Sequence, residues 1–303
     1  MNILVRNAKL IVILGSVAAS FSPIFVRLIE AGSIAIGFYR LTFVVPFFAA
    51  AVLLWHREEL KALSIKQIAG CVLGGLLLAG HYFTWFSSIE NTSVASATVL
   101  LNLNPVIILI ITGLILKEKI NPKAVVGVMI AFVGAAIISG GDYSFAGNAI
   151  YGDLQALVSA FFFALYFLAG RRMRREINAT VYIFFVFSTS WVAFIVAMFV
   201  ADVPFTGYPA RDYLYLFVFA ILCQIGVHVV INWGLGHVSP LYISTVKTSE
   251  SVIAAAWAAL LFAEIPTPWQ WVGGAITICG LLYYNFHDQD VRNPKVGNRY
   301  GAE

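Results

Sequence analysis

Ten apolar runs, separated by short polar or turn-forming connections, divide the chain at roughly 10–29, 34–55, 67–88, 95–116, 124–140, 152–170, 180–201, 212–235, 241–262 and 269–286. A helix that crosses a bilayer needs about 20 mainly apolar residues, and the runs have that length or come close to it. The fifth is the shortest, with Pro122 before it and Gly140-Gly141 at its end. Lipid offers no hydrogen bonds to bare backbone, so each run is expected as a helix that satisfies its own polar groups. The pattern predicts an all-α integral membrane protein with ten transmembrane helices. Arg6 and Lys9 ahead of the first run imitate a secretory signal. The run continues past Pro23 to Leu28, long enough to span, and is read as the first helix.

Composition agrees. Of 303 residues, 60% are hydrophobic and 11% charged, with a mean hydropathy of +0.87, against about 25% charged in soluble domains. The net charge of +4 gives no reason to expect nucleic acid, but the placement of the charges sets an orientation. With the N-terminus inside, the cytoplasmic segments carry Arg6, Lys9, Arg57, Lys61, Lys66, Lys117, Lys119, Lys123, Arg171, Arg172, Arg174, Arg175, Arg292, Lys295 and Arg299. The opposite side carries Arg211 alone. Cytoplasmic loops collect Lys and Arg, so the expectation is a multi-pass protein of the cytoplasmic (inner) membrane with both termini in the cytoplasm. Cys71, Cys223 and Cys279 lie within apolar runs at no metal or redox spacing. They read as small buried hydrophobes.

The chain also repeats itself. "NPVIILIITGLILKEKINPKAVVGVMIAFVG" (104–134) aligns without gaps on "ESVIAAAWAALLFAEIPTPWQWVGGAITICG" (250–280), a shift of 146 residues. The identities include Glu118/Glu264, Pro122/Pro268, Gly127/Gly273 and Gly134/Gly280. Each unit holds five runs: residues 1–140, then a polar connector 141–151, then 152–286, with a cytoplasmic tail 287–303. Five is odd, so the second unit enters the membrane inverted. Inverted repeats with a site near the midplane are a hallmark of secondary transporters.

An Asn/Glu-x-Val near the start of the fourth run of each unit, followed by a Glu-x-x-x-Pro connector, resembles the EamA domains of the drug/metabolite transporter superfamily. "SFSPIFVRLIEAG" followed by "GFYRL" is similar to that family's first two spans. The resemblance covers nearly the whole chain. It implies movement of small metabolites, often export of amino acids or related compounds. The family's commoner Glu-Pro-Val reads Asn104-Pro105-Val106 in the first unit and Glu250-Ser251-Val252 in the second. The pseudo-symmetric pair is therefore one amide and one carboxylate.

Ionisable groups at bilayer depth cost at least about 2.5–3.5 kcal/mol each. Arg40, Lys247 and Glu250 lie well inside runs. Lys247 and Glu250 are i, i+3 neighbours and can pair. Facing a central cavity, Glu250 would hold a proton or a substrate ammonium, with Lys247 neutralising it or binding a substrate carboxylate. The bland alternative is a structural ion pair. Arg40 is a bidentate carboxylate binder, or else it snorkels outward or pairs with Glu30. Arg27, i−3 to Glu30, reads as the partner in a plain interfacial pair. Two polar stripes at helical spacing follow: His81, Trp85 and Ser88, then Gln224, His228 and Asn232. His81 and His228 fall close to the repeat shift and could relay protons, while Tyr82 and Trp85 could stack on a flat or cationic group. The alternative for all of these is hydrogen bonding between helices. Pro23 and Pro105 interrupt their runs and read as hinges. The many glycines read as close-packing positions.

The absence of a phosphate-binding G-x-x-x-x-G-K-[ST] motif, of metal-ligand spacing and of a nucleophile elbow leaves no expected cofactor or metal. The leading expectation is a secondary transporter moving a small polar or amphipathic metabolite by alternating access, in the export direction. Its partners would be that substrate, the bilayer and, as a coupling species, protons; a homodimer stays open. The alternative is a membrane-embedded enzyme using the Lys247/Glu250 pair as acid and base.

Overall fold

The computed structural model describes residues 7–114, 121–141, 149–227, 230, 246–247 and 249–292. Among these, the regular structure is helical. The helices are α1 (Ala8–Ser20), α2 (Ser22–Leu28), α3 (Gly32–Trp55), α4 (Arg57–Ala62), α5 (Ile65–Asn91), α6 (Val94–Leu101), α7 (Asn104–Leu114), α8 (Pro122–Gly141), α9 (Ala149–Met173), α10 (Ala179–Val200), α11 (Ala210–Phe219), α12 (Glu250–Phe262) and α13 (Pro268–Arg292). A π-helical stretch, Ala220–Gly226, continues α11. Six segments are long and apolar enough to cross a membrane: Ala8–Leu28, Gly32–Trp55, Ile65–Asn91, Val94–Ile111, Ala149–Met173 and Ala179–Val200. Most of the connector (142–148) and much of the eighth and ninth runs (231–245) lie outside the described residues, as does Glu118.

The outward faces of these helices are apolar. Val200 is 82% and Leu260 75% exposed, and Leu54, Phe167 and Phe199 are also open. Water would not tolerate so continuous an apolar surface; lipid does. Cys279 belongs to this surface. It is exposed, which corrects the expectation that all three cysteines are buried.

Two proline breaks shape the bundle. Proline has no N–H, so Pro105 leaves the Leu101 carbonyl without its helical donor. The chain turns at Asn102-Leu103 between α6 and α7, and the Asn104 side-chain amide donates to Leu101 O at 3.1 Å. Asn102 bridges instead to the Ser251 hydroxyl on α12. Ahead of Pro23, the helix breaks at Phe21, and the Cys223 thiol donates to Ala18 O at 3.3 Å.

The glycines act as the sequence suggests, most clearly where α13 lies along α8. A Cβ added to Gly127 would stand 2.7 Å from Gly280 O, and one added to Gly280 2.6 Å from Gly127 O. Gly134 and Gly273 face each other in the same way, at 2.5 and 2.6 Å. The chain numbers rise along one helix as they fall along the other, so the helices are antiparallel. Under the 146-residue shift, the first glycine pair maps onto the second.

Contacts between helix ends sort into two groups. At one end, Arg27 meets Glu264 at 2.6 Å, Glu30 meets Arg211, and the Thr92 hydroxyl donates to Asp153 at 2.8 Å. At the other, Lys61 meets Glu58 at 2.7 Å, and the Asn178 N–H donates to Glu59 at 2.6 Å. Two expectations change here. Arg27 does not pair with Glu30 but crosses to Glu264, because the same Nη2 also donates to Thr92 O at 2.9 Å and is held there. Glu30 is taken by Arg211, so Arg40 has no claim on it.

Candidate functional site

A cavity of about 190 Å³ opens in the middle of the bundle. An engineered apolar cavity of about 150 Å³ admits benzene, so this one suits a molecule somewhat larger. It is lined from α1, α2, α3, α5, α6, α7, α9, the π-helical stretch and α12, with Lys247 just ahead of α12. Arg40, His81, Tyr82, Trp85, Asn104, Lys247 and Glu250 all reach it, as does Pro23. Seven positions singled out for binding from different parts of the sequence thus share one enclosure. His228 lies outside the described residues. Pro105 stands at the break beside the cavity rather than on its wall.

The charged groups are held separately. Glu250 accepts a hydrogen bond from the Ser16 hydroxyl at 3.3 Å, and Ser16 also donates to Val246 O at 3.0 Å. The Lys247 ammonium lies 5.7 Å from the centre of the Phe163 ring. Among the described residues no ion pair joins Lys247 to Glu250, so the pairing expected from their i, i+3 spacing is not made.

Arg40 is 6% exposed. Its guanidinium carbon stands 4.2 Å from the Phe219 ring centre, 4.9 Å from Tyr82 and 5.7 Å from Phe86. Cations are attracted to ring faces within about 6 Å. The Tyr82 face expected to stack on a substrate therefore carries an internal cation. Tyr82 is fixed from behind by the Gln224 amide, whose Nε2 donates to its hydroxyl at 2.7 Å. His81 is tied to α9, its Nδ1 paired with the Ser159 hydroxyl at 2.8 Å. Its ring thereby bridges two helices, while His81 still lines the cavity. Trp85 is 5% exposed and lines the wall. The amide of Asn104 is engaged with Leu101 O.

Sequence reasoning did not single out Phe163, Phe219 or Cys223, which are ordinary apolar residues in apolar runs. The π-helical stretch that turns Cys223 and Gln224 toward the cavity leaves no mark in the sequence; such stretches recur at functional sites.

Comparison with known proteins agrees with this construction. The chain is 27% identical to an uncharacterised transporter of Archaeoglobus fulgidus over 272 residues, 87% of this chain and 91% of that one. It is 22% identical to the pseudopaline exporter CntI of Pseudomonas aeruginosa over 78% of this chain and 84% of that one. The aromatic amino acid exporter YddG of Ancylobacter novellus matches at 28% over 34% of this chain and 36% of its own. One crystal structure superposes with a TM-score of 0.62 at 17% identity, covering 94% of this chain and 99% of that one, which shows a shared fold. The model of the EamA-like transporter family matches residues 7–140 and again 150–286. With both halves matched and apolar helices around a charged internal cavity, the chain belongs to the EamA-like transporter family.

Proposed function

We propose that the protein is a secondary transporter that exports a small polar or amphipathic metabolite, an amino acid or related compound, by alternating access between two inverted five-helix units. The observation that carries this reading is the cavity, where Arg40, Lys247 and Glu250 come together inside a bundle of apolar helices. Intramembrane charges are tolerated where they line a water-filled cavity and mark substrate or ion pathways. The reciprocal glycine contacts of α8 and α13 support an inverted pair. Two antiparallel helices whose contacts map onto each other under the repeat shift are related by a local two-fold across the helix axes. The two groups of end contacts support the alternation of the helices, and the Lys and Arg bias supports cytoplasmic termini. The exporter names of two relatives support the outward direction.

The access change has a candidate barrier. Between the cavity and the Arg27–Glu264 pair lies a layer in which Phe21 stacks on Trp257 at 4.7 Å, with Ile24, Val94, Ala254 and Ala258 buried around it. Glu264 also accepts the Val94 N–H at 3.1 Å. One carboxylate thus ties the connector after α12 to α2 and to the first turn of α6.

The test is counterflow of labelled amino acids, polyamines and nucleosides in proteoliposomes, with and without a pH gradient. The wild type should exchange one class without altering it chemically. Glu250→Gln should retain exchange and lose the response to the gradient, because an amide carries no titrating proton. Equal response in both proteins would remove Glu250 from coupling. Chemical conversion of the compound would favour the acid/base enzyme instead.

A further inference from the structure

Among the described residues, the cavity's cations lack anions of their own. Arg40 makes no hydrogen bond or ion pair among the described residues, and its Nε is buried without a partner. Its terminal nitrogens, likewise without a hydrogen bond among the described residues, are not among the buried unpartnered atoms, and Arg40 lines the cavity. Phe219, Tyr82 and Phe86 hold the guanidinium from its ring-facing sides. Rings attract a cation but leave its N–H donors unsatisfied. The Lys247 ammonium is placed similarly, over the Phe163 ring at 5.7 Å. Among the described residues the carboxylate on the wall is Glu250, bonded to Ser16 on α1. Two cations and one carboxylate therefore share the wall.

A buried unpaired charge is costly, and this arrangement persists because something in the cavity compensates it. A guanidinium fork presents parallel N–H donors that match the two oxygens of a carboxylate. We infer that Arg40 is the seat for a carboxylate on the transported molecule, with Lys247 closing the anionic side and Glu250 facing the substrate's amine. This names the substrate class of the transport site proposed above and rests on that reading. The substrate is an amino acid or another carboxylate-bearing compound of zero or negative net charge. Amines without an acid group, polyamines among them, are excluded.

Protection of Arg40 from chemical modification tests this on the wild-type protein in lipid. Phenylglyoxal, a small neutral dicarbonyl selective for arginine, is applied alone or with propionate, propionamide or propylamine. Modification of the Arg40 peptide is followed by mass spectrometry, with Arg57 as the exposed control. These probes are small enough to enter whatever the rest of the natural substrate looks like. The expected result is that Arg40 is modified, that propionate slows it several-fold, and that the amide and amine do not. An inert Arg40, no protection by propionate, or equal protection by propylamine overturns the inference. Counterflow separates this outcome from the transport reading. Protection without exchange of any compound keeps the carboxylate seat and removes transport, whereas exchange of amines without protection by propionate does the reverse. For an exchanged carboxylate, Arg40→Lys, which keeps the charge and loses the fork, should raise the half-saturating concentration by about tenfold, the scale of a hydrogen bond to a charged group.

Discussion

Asn104 shows how one side chain's duty is set by its neighbour. By the repeat it mirrors Glu250, and it does border the cavity, but Pro105 withdraws the donor that the Leu101 carbonyl needs, and the Asn104 amide replaces it at 3.1 Å. Its first role is therefore to stabilise the break. Asn104→Ala should lower stability in detergent by about 1–3 kcal/mol, the cost of a buried acceptor left unmet, while reducing exchange less than a change at Arg40. Complete loss of exchange with unchanged melting would put the amide on the substrate instead. Glu250, with a hydroxyl partner and no cation in contact, has no such structural debt. That difference separates the two members of the pseudo-symmetric pair in chemistry as well as in charge.

Among the helices, the α8–α13 contact depends on the absence of side chains. A methyl on Gly134 would fall 2.5 Å from the Gly273 carbonyl and from the Thr277 N–H, both backbone and unable to yield. Overpacking of this kind costs about 1–3 kcal/mol. Gly134→Ala should therefore lower the thermal midpoint of the purified protein, whereas Gly274→Ala, whose Cβ would meet nothing nearer than Val99 at 3.9 Å, should not. If both variants melt alike, the close approach of the two helices is not what holds them. The breaks at Phe21 and at Asn102-Leu103 work the other way. They leave backbone carbonyls short of a helical donor beside the cavity, where the Asn104 amide and the Cys223 thiol meet them.

For the whole molecule, the relevant quantity is which end of the cavity is sealed. The Phe21–Trp257 layer and the Arg27–Glu264 pair belong to the end that also holds Glu30, Arg211 and Asp153. In the orientation proposed above from the Lys and Arg bias, this end is the outward one. Glu264→Gln should loosen the seal. A cysteine at Ser22, which lines the cavity, in a background without the native thiols, should then react several-fold faster with a membrane-impermeant thiol reagent applied outside intact cells. Faster reaction only from the cytoplasmic side would reverse the orientation, and an unchanged rate would remove Glu264 from the barrier.

How far the sequence reaches is visible in particular residues. Apolar runs of bilayer length determined where helices form, because backbone in lipid has few alternatives; α3, α9 and α10 begin and end within a few residues of expectation. The scarcity of charge in those runs made Arg40, Lys247 and Glu250 conspicuous, and all three line the cavity. Partner choice was not determined in this way. Spacing paired Arg27 with Glu30 and Lys247 with Glu250, yet Arg27 bonds Glu264, 237 residues away, and Lys247 faces Phe163. Contacts along one helix follow from its 3.6-residue period. Contacts between helices depend on how far each is rotated and shifted, and that is fixed by packing at glycines, at proline breaks and at a π-helical stretch that no local pattern encodes. The sequence alone therefore determined the membrane, the helices and the unusual charges. Only the tertiary structure decided that those charges meet in one cavity, and that among the described residues two of them, Arg40 and Lys247, are cations with no anion in contact.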